Sequence, residues 1–367
     1  MLGEYPGIEK KLYHQYNAIK RLGLNDFEIV ALNTRFNGQK TGIQFVKLRD
    51  IMRYARGYAL YNFMKNLIEP YEKLVLRYPT VDLSFFFLKD IIRSMPVFTE
   101  HHSKEVFEVS VNAKSVLKRK LSIFFENHFF RPALGEIKGV IGLTNEICAY
   151  ELKRLGKTKP AVVIPNGVDV ENVPFTKFRK FDGKNLNMIF ISGNFQPWQG
   201  LDRIFESLLQ FKNRSLNLKL YVVGNVNEET RKLISQVNTL KNIEIEIAGV
   251  LTGEKLDSIF TQATIAVSSL SLYRKGMVEA CALKTREYTA RGIPFILGYD
   301  DPDFKEDEDF FMRLPNTSGL FDFDEVIDFA LKVSANPEIS NYMRNFAMKR
   351  LDWKTKMLKM WEFVVHN

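Results

Sequence analysis

Residues 275–294 read KGMVEACALKTREYTARGIP and set two carboxylates, Glu279 and Glu287, eight residues apart, with basic residues before and between them. In one continuous helix Glu287 would be rotated about 80° from Glu279 and the two would diverge. Gly292 and Pro294 end a helix that cannot start much before Leu283, which leaves Glu279 in the preceding loop. Both carboxylates can then face one ligand from different sides. The helix N-terminus between them offers N–H groups and a positive dipole to a phosphate. A carboxylate that accepts two bonds from a vicinal diol suits a ribose. The other reading is a solvated helix carrying a Lys284–Glu287 pair at i,i+3.

FTEHHSKE (98–105) is the chemical candidate of the first half. A strand ending in His places an imidazole at the carboxyl edge of a sheet, where α/β folds hold ligands. Glu100 and Glu105 read as structural or acceptor-side residues. SVLKRKLSIFFENHFFRPAL (115–134) joins Lys118, Arg119 and Lys120 to a run of phenylalanines. It could lie on an anionic membrane surface, or pack its phenylalanines on a sheet with a wet basic face. Asp301/Asp303 and Asp322/Asp324 form Asp-x-Asp patterns, read as loop and cap residues, so no metal is expected.

These groups must be held by a chain of 367 residues, a length that suggests two domains and burial of roughly 75% of the unfolded surface. The chain is 46% hydrophobic and 26% charged, which is ordinary for a soluble globular protein. Two cysteines, Cys148 and Cys281, make no disulfide framework and fit a cytoplasmic setting. The N-terminus lacks the apolar segment of a signal peptide, and no apolar run nears the ~18 residues of a membrane span. A net charge of +9 invites an anionic partner. Without zinc-finger spacing, an RNP-like motif or a long Lys/Arg block, nucleic acid is not that partner.

Short apolar runs predict strands at 27–33, 73–78, 96–101, 139–144 and 161–166, then at 187–193, 218–224, 243–249, 264–270 and 294–299. Helical spacing fills the intervals, as with Ile204, Leu208 and Phe211. The pattern predicts two doubly wound α/β domains facing across a cleft, with 171–185 as linker. The expected domains are 1–172 and 185–325, with helices in 326–367 packing back on the first. GEYPG opens an amphipathic helix through a turn containing Gly3 and Gly7. Such a turn normally follows a first strand, and only Met1 and Leu2 precede it.

VVIPNGVD (162–169), FISGNFQPWQGLDRIFESL (190–208), VVGN (222–225), AGVLTGEKLDSIFTQATIAVSSLSL (248–272) and the Glu-x7-Glu…Gly-Ile-Pro segment follow one another in that order. Together they resemble the nucleotide-sugar glycosyltransferases of family 4, which have the GT-B fold, and especially bacterial members that build surface polysaccharides. The resemblance implies a retaining transfer with no cofactor. The donor would be a nucleotide sugar, UDP- or GDP-linked, and the acceptor a glycan or lipid-linked glycan. Glu279 would contact the transferred sugar and Glu287 the ribose. Val250 and Leu251 would pack on the base, while Cys281, Ala282 and Leu283 would offer N–H groups to the diphosphate. Lys284 matches the family's recurrent lysine, and His102, rather than His101, matches its sugar-contacting histidine. Gly3 and Gly7 would form an acceptor-side loop.

The chain departs from the family in the glycine loop after Gly193, where the two expected diphosphate-binding cations read Asn194 and Gln199. Arg274 and Lys275 are the candidates to replace that charge, and Arg203 is a poorer one. A degenerate GT-B protein that binds a sugar nucleotide or a partner transferase without turnover is the alternative. A sugar-nucleotide epimerase would need ring acid/base groups, of which no set is visible. Placement is expected in the cytoplasm, peripherally at the inner face of the membrane.

Overall fold

The structure, a computed structural model, describes residues 6–33, 43–47, 56–67, 71–78, 85–107, 115–130, 134–212 and 216–367. The chain divides into two compact units, Met1–Pro165 with Trp353–Asn367, and Asn166–Asp352.

The first unit begins with α1 (Pro6–Arg21), β1 (Val30–Asn33), β2 (Gln44–Lys47), α2 (Arg56–Lys65), β3 (Leu74–Arg77) and α3 (Phe85–Ser94). It continues through β4 (Val97–His101), α4 (Val116–Phe125), β5 (Gly139–Gly142), α5 (Asn145–Leu155) and β6 (Ala161–Val163). Strands β3 to β6 form a parallel sheet in sequence order, while β1 and β2 pair only with each other among the described residues. Five predicted strands are present, and β2 is one the apolar pattern did not reveal. Gly3 lies outside the described residues. Gly7 stands in the first turn of α1 and not in a loop, because Pro6, with its fixed φ, opens the helix. Thr144 caps α5 by accepting from the Ile147 amide, and Gly156 ends it at φ 68°.

The second unit holds β7 (Asn185–Asn194), α6 (Leu201–Gln210), β8 (Asn217–Asn225), α7 (Glu228–Val237), β9 (Ile243–Gly249), α8 (Glu254–Phe260) and β10 (Ile265–Val267). It closes with α9 (Leu283–Arg291), β11 (Phe295–Leu297), β12 (Phe311–Arg313), α10 (Phe323–Ala335) and α11 (Ile339–Phe346). Its six strands run parallel in the order β12-β11-β10-β7-β8-β9. The continuous apolar runs of β7, β8 and β10 are buried through their centres, as strands covered on both faces require. Phe190, Phe205, Phe260, Tyr288 and Phe295 are fully buried in this core.

Residues 171–185, read as linker, run along the second unit. Val173, Phe178 and Phe181 are buried there, and the Thr176 and Arg179 amides donate to Arg291 O and Ala263 O. Gly224 explains the VVGN motif. Its φ is +136°, and a Cβ there would meet Ser192 O at 1.6 Å, so only glycine lets the end of β8 lie this close to the end of β7. After the second unit the chain returns to the first as α12 (Trp353–His366). Trp353, Met357 and Met360 pack there with Ala18, Ile19, Phe98 and Ile141.

Candidate functional site

In the second unit the helix expected from Leu283 starts at Leu283, and Gly292 ends it at φ 78°. Glu279 lies ahead of it in an extended segment that bridges to Asp300. The Ala280 amide donates to Asp300 O, and the Asp300 amide donates to Val278 O. Asn316 holds the residues just before, accepting from the Tyr273 amide and donating to Met277 O. The two glutamates therefore sit on different local structures, a loop and a helix. Ala282 occupies the N-cap of α9 and has no side chain able to accept from its first-turn N–H groups.

The solvated-helix alternative fails. Thr285, Arg286, Tyr288 and Thr289 are fully buried. The Lys284–Glu287 pair is not formed. Lys284 Nζ lies 4.6 Å from the centroid of the Phe190 ring, buried and without a hydrogen-bond partner among the described residues. Desolvation brings its pKa down to about 7. Glu287 instead accepts from Arg291 Nε and Nη2 through Oε1, at 3.0 and 2.9 Å, and Arg291 also reaches Asp257 at 2.7 Å.

Arg286, which neither spacing nor motif singles out, anchors this region. Its guanidinium is paired with Asp301, reaches Asp303 Oδ2 at 2.7 Å and donates from Nε to Asn166 O at 3.0 Å. Asn166 Nδ2 in turn donates to Cys281 O at 2.9 Å, so the carbonyl of the loop between the glutamates is held from VVIPNGVD. Asp301, expected as a loop or cap residue, is a buried counter-ion because Arg286 cannot stay charged in the core alone. Asp322 does cap α10, accepting from the Asp324 amide. The only sequence signals for the anchor were the Asp-x-Asp spacing and the Asn of VVIPNGVD. Cys281 is buried, and that pushes its thiol up to about 11.

Gly193 and Asn194 are exposed at the end of β7, and Asn194 Oδ1 accepts from Asn225 at 3.2 Å. Gln199 is half-buried. Arg274 is engaged elsewhere, donating to Asp202 Oδ1 at 2.9 Å, Pro197 O at 2.8 Å and the Tyr273 hydroxyl at 3.0 Å. Lys275 sits 4.7 Å from the Trp198 ring centroid. Arg203 is buried and spends its donors on Gly319, Leu270 and Pro315 carbonyls. Val250 is exposed beyond β9, while Leu251 and Ala282 are half-buried and Leu283 is exposed.

In the first unit His101 and His102 stand at the carboxyl end of β4. His101 is buried and stacked on Tyr78, with centroids 4.9 Å apart. Beneath it Tyr78 donates to Glu126 at 2.6 Å, and Arg154 donates to Glu126 and Glu151 at 2.9 and 2.8 Å. Burial pushes Glu151 up to about 7. His102 keeps 20% of its side-chain surface and lies 3.0 Å from Glu100. Among the described residues, no group of three or more His, Cys, Asp or Glu side chains is placed to hold a metal ion.

No curated protein matches the chain in sequence. Residues 174–306, which include both glutamates, match the family model of glycosyl transferases group 1, and this match supports sugar transfer as the chemistry. Sucrose-phosphate synthase from Thermosynechococcus elongatus aligns over 97% of this chain and 92% of its own, at 13% identity and TM-score 0.66. A glycosyltransferase from Rickettsia africae ESF-5 covers 99% and 95%, at 14% identity and TM-score 0.66. HepE of Anabaena, in a structure with UDP and glucose, covers 100% and 97%, at 12% identity and TM-score 0.64. The fold is GT-B.

Two stability measurements follow from this geometry. Asp301→Ala leaves the buried Arg286 charge with Asp303 as its one remaining carboxylate and should cost about 3 kcal/mol in urea unfolding; a loss under about 1 kcal/mol would mean that the Asp301 pair is not a support. Lys284 behaves in the opposite sense. Its folded pKa is down at about 7, so the unfolded chain binds the extra proton from there to its own pKa. Stability should rise with pH across that window. Lys284→Met should therefore be the more stable protein at pH 7, by more than about 1 kcal/mol, with a flatter pH dependence up to about pH 10. Equal stabilities at pH 7 would contradict the buried, unpaired ammonium.

Proposed function

We propose that the chain is a retaining, metal-independent glycosyltransferase of family 4. It moves a sugar from a UDP- or GDP-linked donor to a glycan or lipid-linked glycan in bacterial surface polysaccharide synthesis. The observation that carries this reading is the site around α9. A glutamate held in an extended loop and a glutamate on the helix flank an N-terminus with no side-chain cap, inside the stretch matching glycosyl transferases group 1. The first-turn N–H groups near Ala282 and Leu283 receive the diphosphate, and Lys275 is the cation left to supply the charge that Asn194 and Gln199 lack, since Arg274 is committed to Asp202 and Pro197. Glu279 contacts the transferred sugar. Glu287 binds the ribose, with Arg291 holding its carboxylate in place. Val250 and Leu251 pack on the base. The sugar–phosphate bond breaks with its electron pair leaving on the diphosphate. The acceptor hydroxyl then adds to the same face as its proton passes to the departing phosphate. The donor binds the second unit and the acceptor the first.

One observation favours the alternative of binding without turnover. Arg274 is committed to Asp202 and Pro197, which leaves the diphosphate with fewer cations than the family uses. A thermal-shift screen with UDP-, GDP- and ADP-glucose separates the outcomes. A donor at 100 times its dissociation constant should add about 2.7 kcal/mol of stability. Glu287→Ala should abolish that shift, while Glu279→Ala should keep it and lose turnover. A shift with no turnover selects the binding protein, and no shift with any of the three overturns both readings.

The protein is proposed to work in the cytoplasm, peripherally on an anionic membrane. No helix among the described residues is long and apolar enough to cross one. The support is α4, which buries none of its residues. Val116, Leu117, Leu121 and Phe124 are 60, 68, 48 and 47% exposed beside exposed Lys118, Arg119 and Lys120. Of the phenylalanines expected to pack on the sheet, Phe125 does join the core. Replacing Leu117, Leu121 and Phe124 by Ser should release the protein from phosphatidylglycerol vesicles with thermal stability unchanged. Undiminished sedimentation would remove the membrane role from α4.

A further inference from the structure

We propose that Lys11 and Glu100 are positioning residues that lock the His102 ring as the neutral Nε2–H tautomer, so that its Nδ1 accepts a hydrogen bond from a hydroxyl of the bound sugar. The identity of that hydroxyl rests on the glycosyltransferase reading; the state of the ring does not.

His102 Nε2 lies 3.0 Å from Glu100 Oε1. A carboxylate can only accept, so the nitrogen facing it must carry a hydrogen. Lys11 reaches in from α1, 3.4 Å from the same carboxylate oxygen and 3.4 Å from Nε2. If Nε2 instead accepted from Lys11, its lone pair would face an anionic oxygen at the shorter distance. That arrangement is repulsive.

The doubly protonated ring is disfavoured as well. Burial first, and then the Lys11 charge, bring His102 down to about 4, against the pull of Glu100 and with a smaller push from Arg77 on β3. Lys11 and His102 together hold the Glu100 carboxyl well below its usual range in spite of burial. Glu100 thus stays an anion, yet does not draw a second proton onto the ring, because Lys11 offsets its charge. His101, the other neighbour on the strand, is neutral through burial and adds no competing positive charge. With Nε2 carrying the hydrogen, the lone pair falls to Nδ1, which has no hydrogen-bond partner among the described residues. The ring is 20% exposed at the carboxyl edge of a parallel sheet, whereas Lys11 is 7% and Glu100 13% exposed. Lys11 is itself held over the Trp353 ring of α12, 5.6 Å from its centroid.

The test uses the full-length protein labelled with 15N-histidine, with the His102 signals assigned by their loss in His102→Gln. The expected spectrum is the Nε2–H tautomer, with no titration between about pH 5 and pH 8. Lys11→Met should keep that tautomer and raise the titration toward the ordinary value of about 6.5. Glu100→Gln should lose the single tautomer and lower kcat about tenfold on the donor that wild type uses from the UDP-, GDP- and ADP-glucose panel, with KM nearly unchanged. An Nδ1–H tautomer in wild type, or titration near 6.5, overturns the proposal. So does a Glu100→Gln protein with mixed tautomers and wild-type kcat. A wild-type protein that turns over none of the panel removes the sugar contact together with the transferase reading, while the spectrum alone decides the ring.

Discussion

The contact on which the second unit's site depends is the buried pairing of Arg286 with Asp301, extended to Asp303 and to the Asn166 carbonyl. A guanidinium with no exposed surface is tolerable only when its donors are met by charge and carbonyl oxygen. Meeting them ties three separate stretches of chain together. One is the turn after β6, the second is the first turn of α9, and the third is the loop after β11. Asn166 passes the constraint to the Cys281 carbonyl, in the middle of the segment between Glu279 and Glu287. The separation of one carboxylate on a loop from one on a helix is thus fixed by a group that need touch no ligand.

The first unit solves a related problem at the end of β4. His101 and His102 are neighbours in sequence, yet strand alternation sends them to different surroundings. His101 goes down onto Tyr78 and the Glu126–Arg154–Glu151 network. His102 stays at the edge, where α1 brings a lysine and the strand brings a glutamate. The buried network takes up His101, and the edge residue keeps a lone pair for work.

Much of the fold was legible because parallel strands covered on both faces read as unbroken apolar runs, and ten of them could be placed that way. Strand β2, short and half polar as QFVK, carries no such run, and β12, as FMR, is shorter still. The limits of α9 were legible for a different reason: Gly292 and Pro294 act locally, on φ and on a missing donor. The partners of Lys284 and Glu287 were not. Helical spacing offers Lys284 to Glu287 and Glu287 to Arg291 alike, and only packing against β7 decides that Lys284 turns inward onto Phe190.

The sequence by itself determined the two parallel α/β units, the bounds of the α9 helix and the order of motifs from 162 to 294, since these follow from local periodicity and from glycine and proline stereochemistry. Tertiary structure decided which charges meet. Lys11 and Glu100 are 89 residues apart, and Arg286 and Asn166 are 120 apart. No local rule links residues at such separations. Burial does, because a charge taken out of water must find its counter-charge wherever the fold brings one within reach.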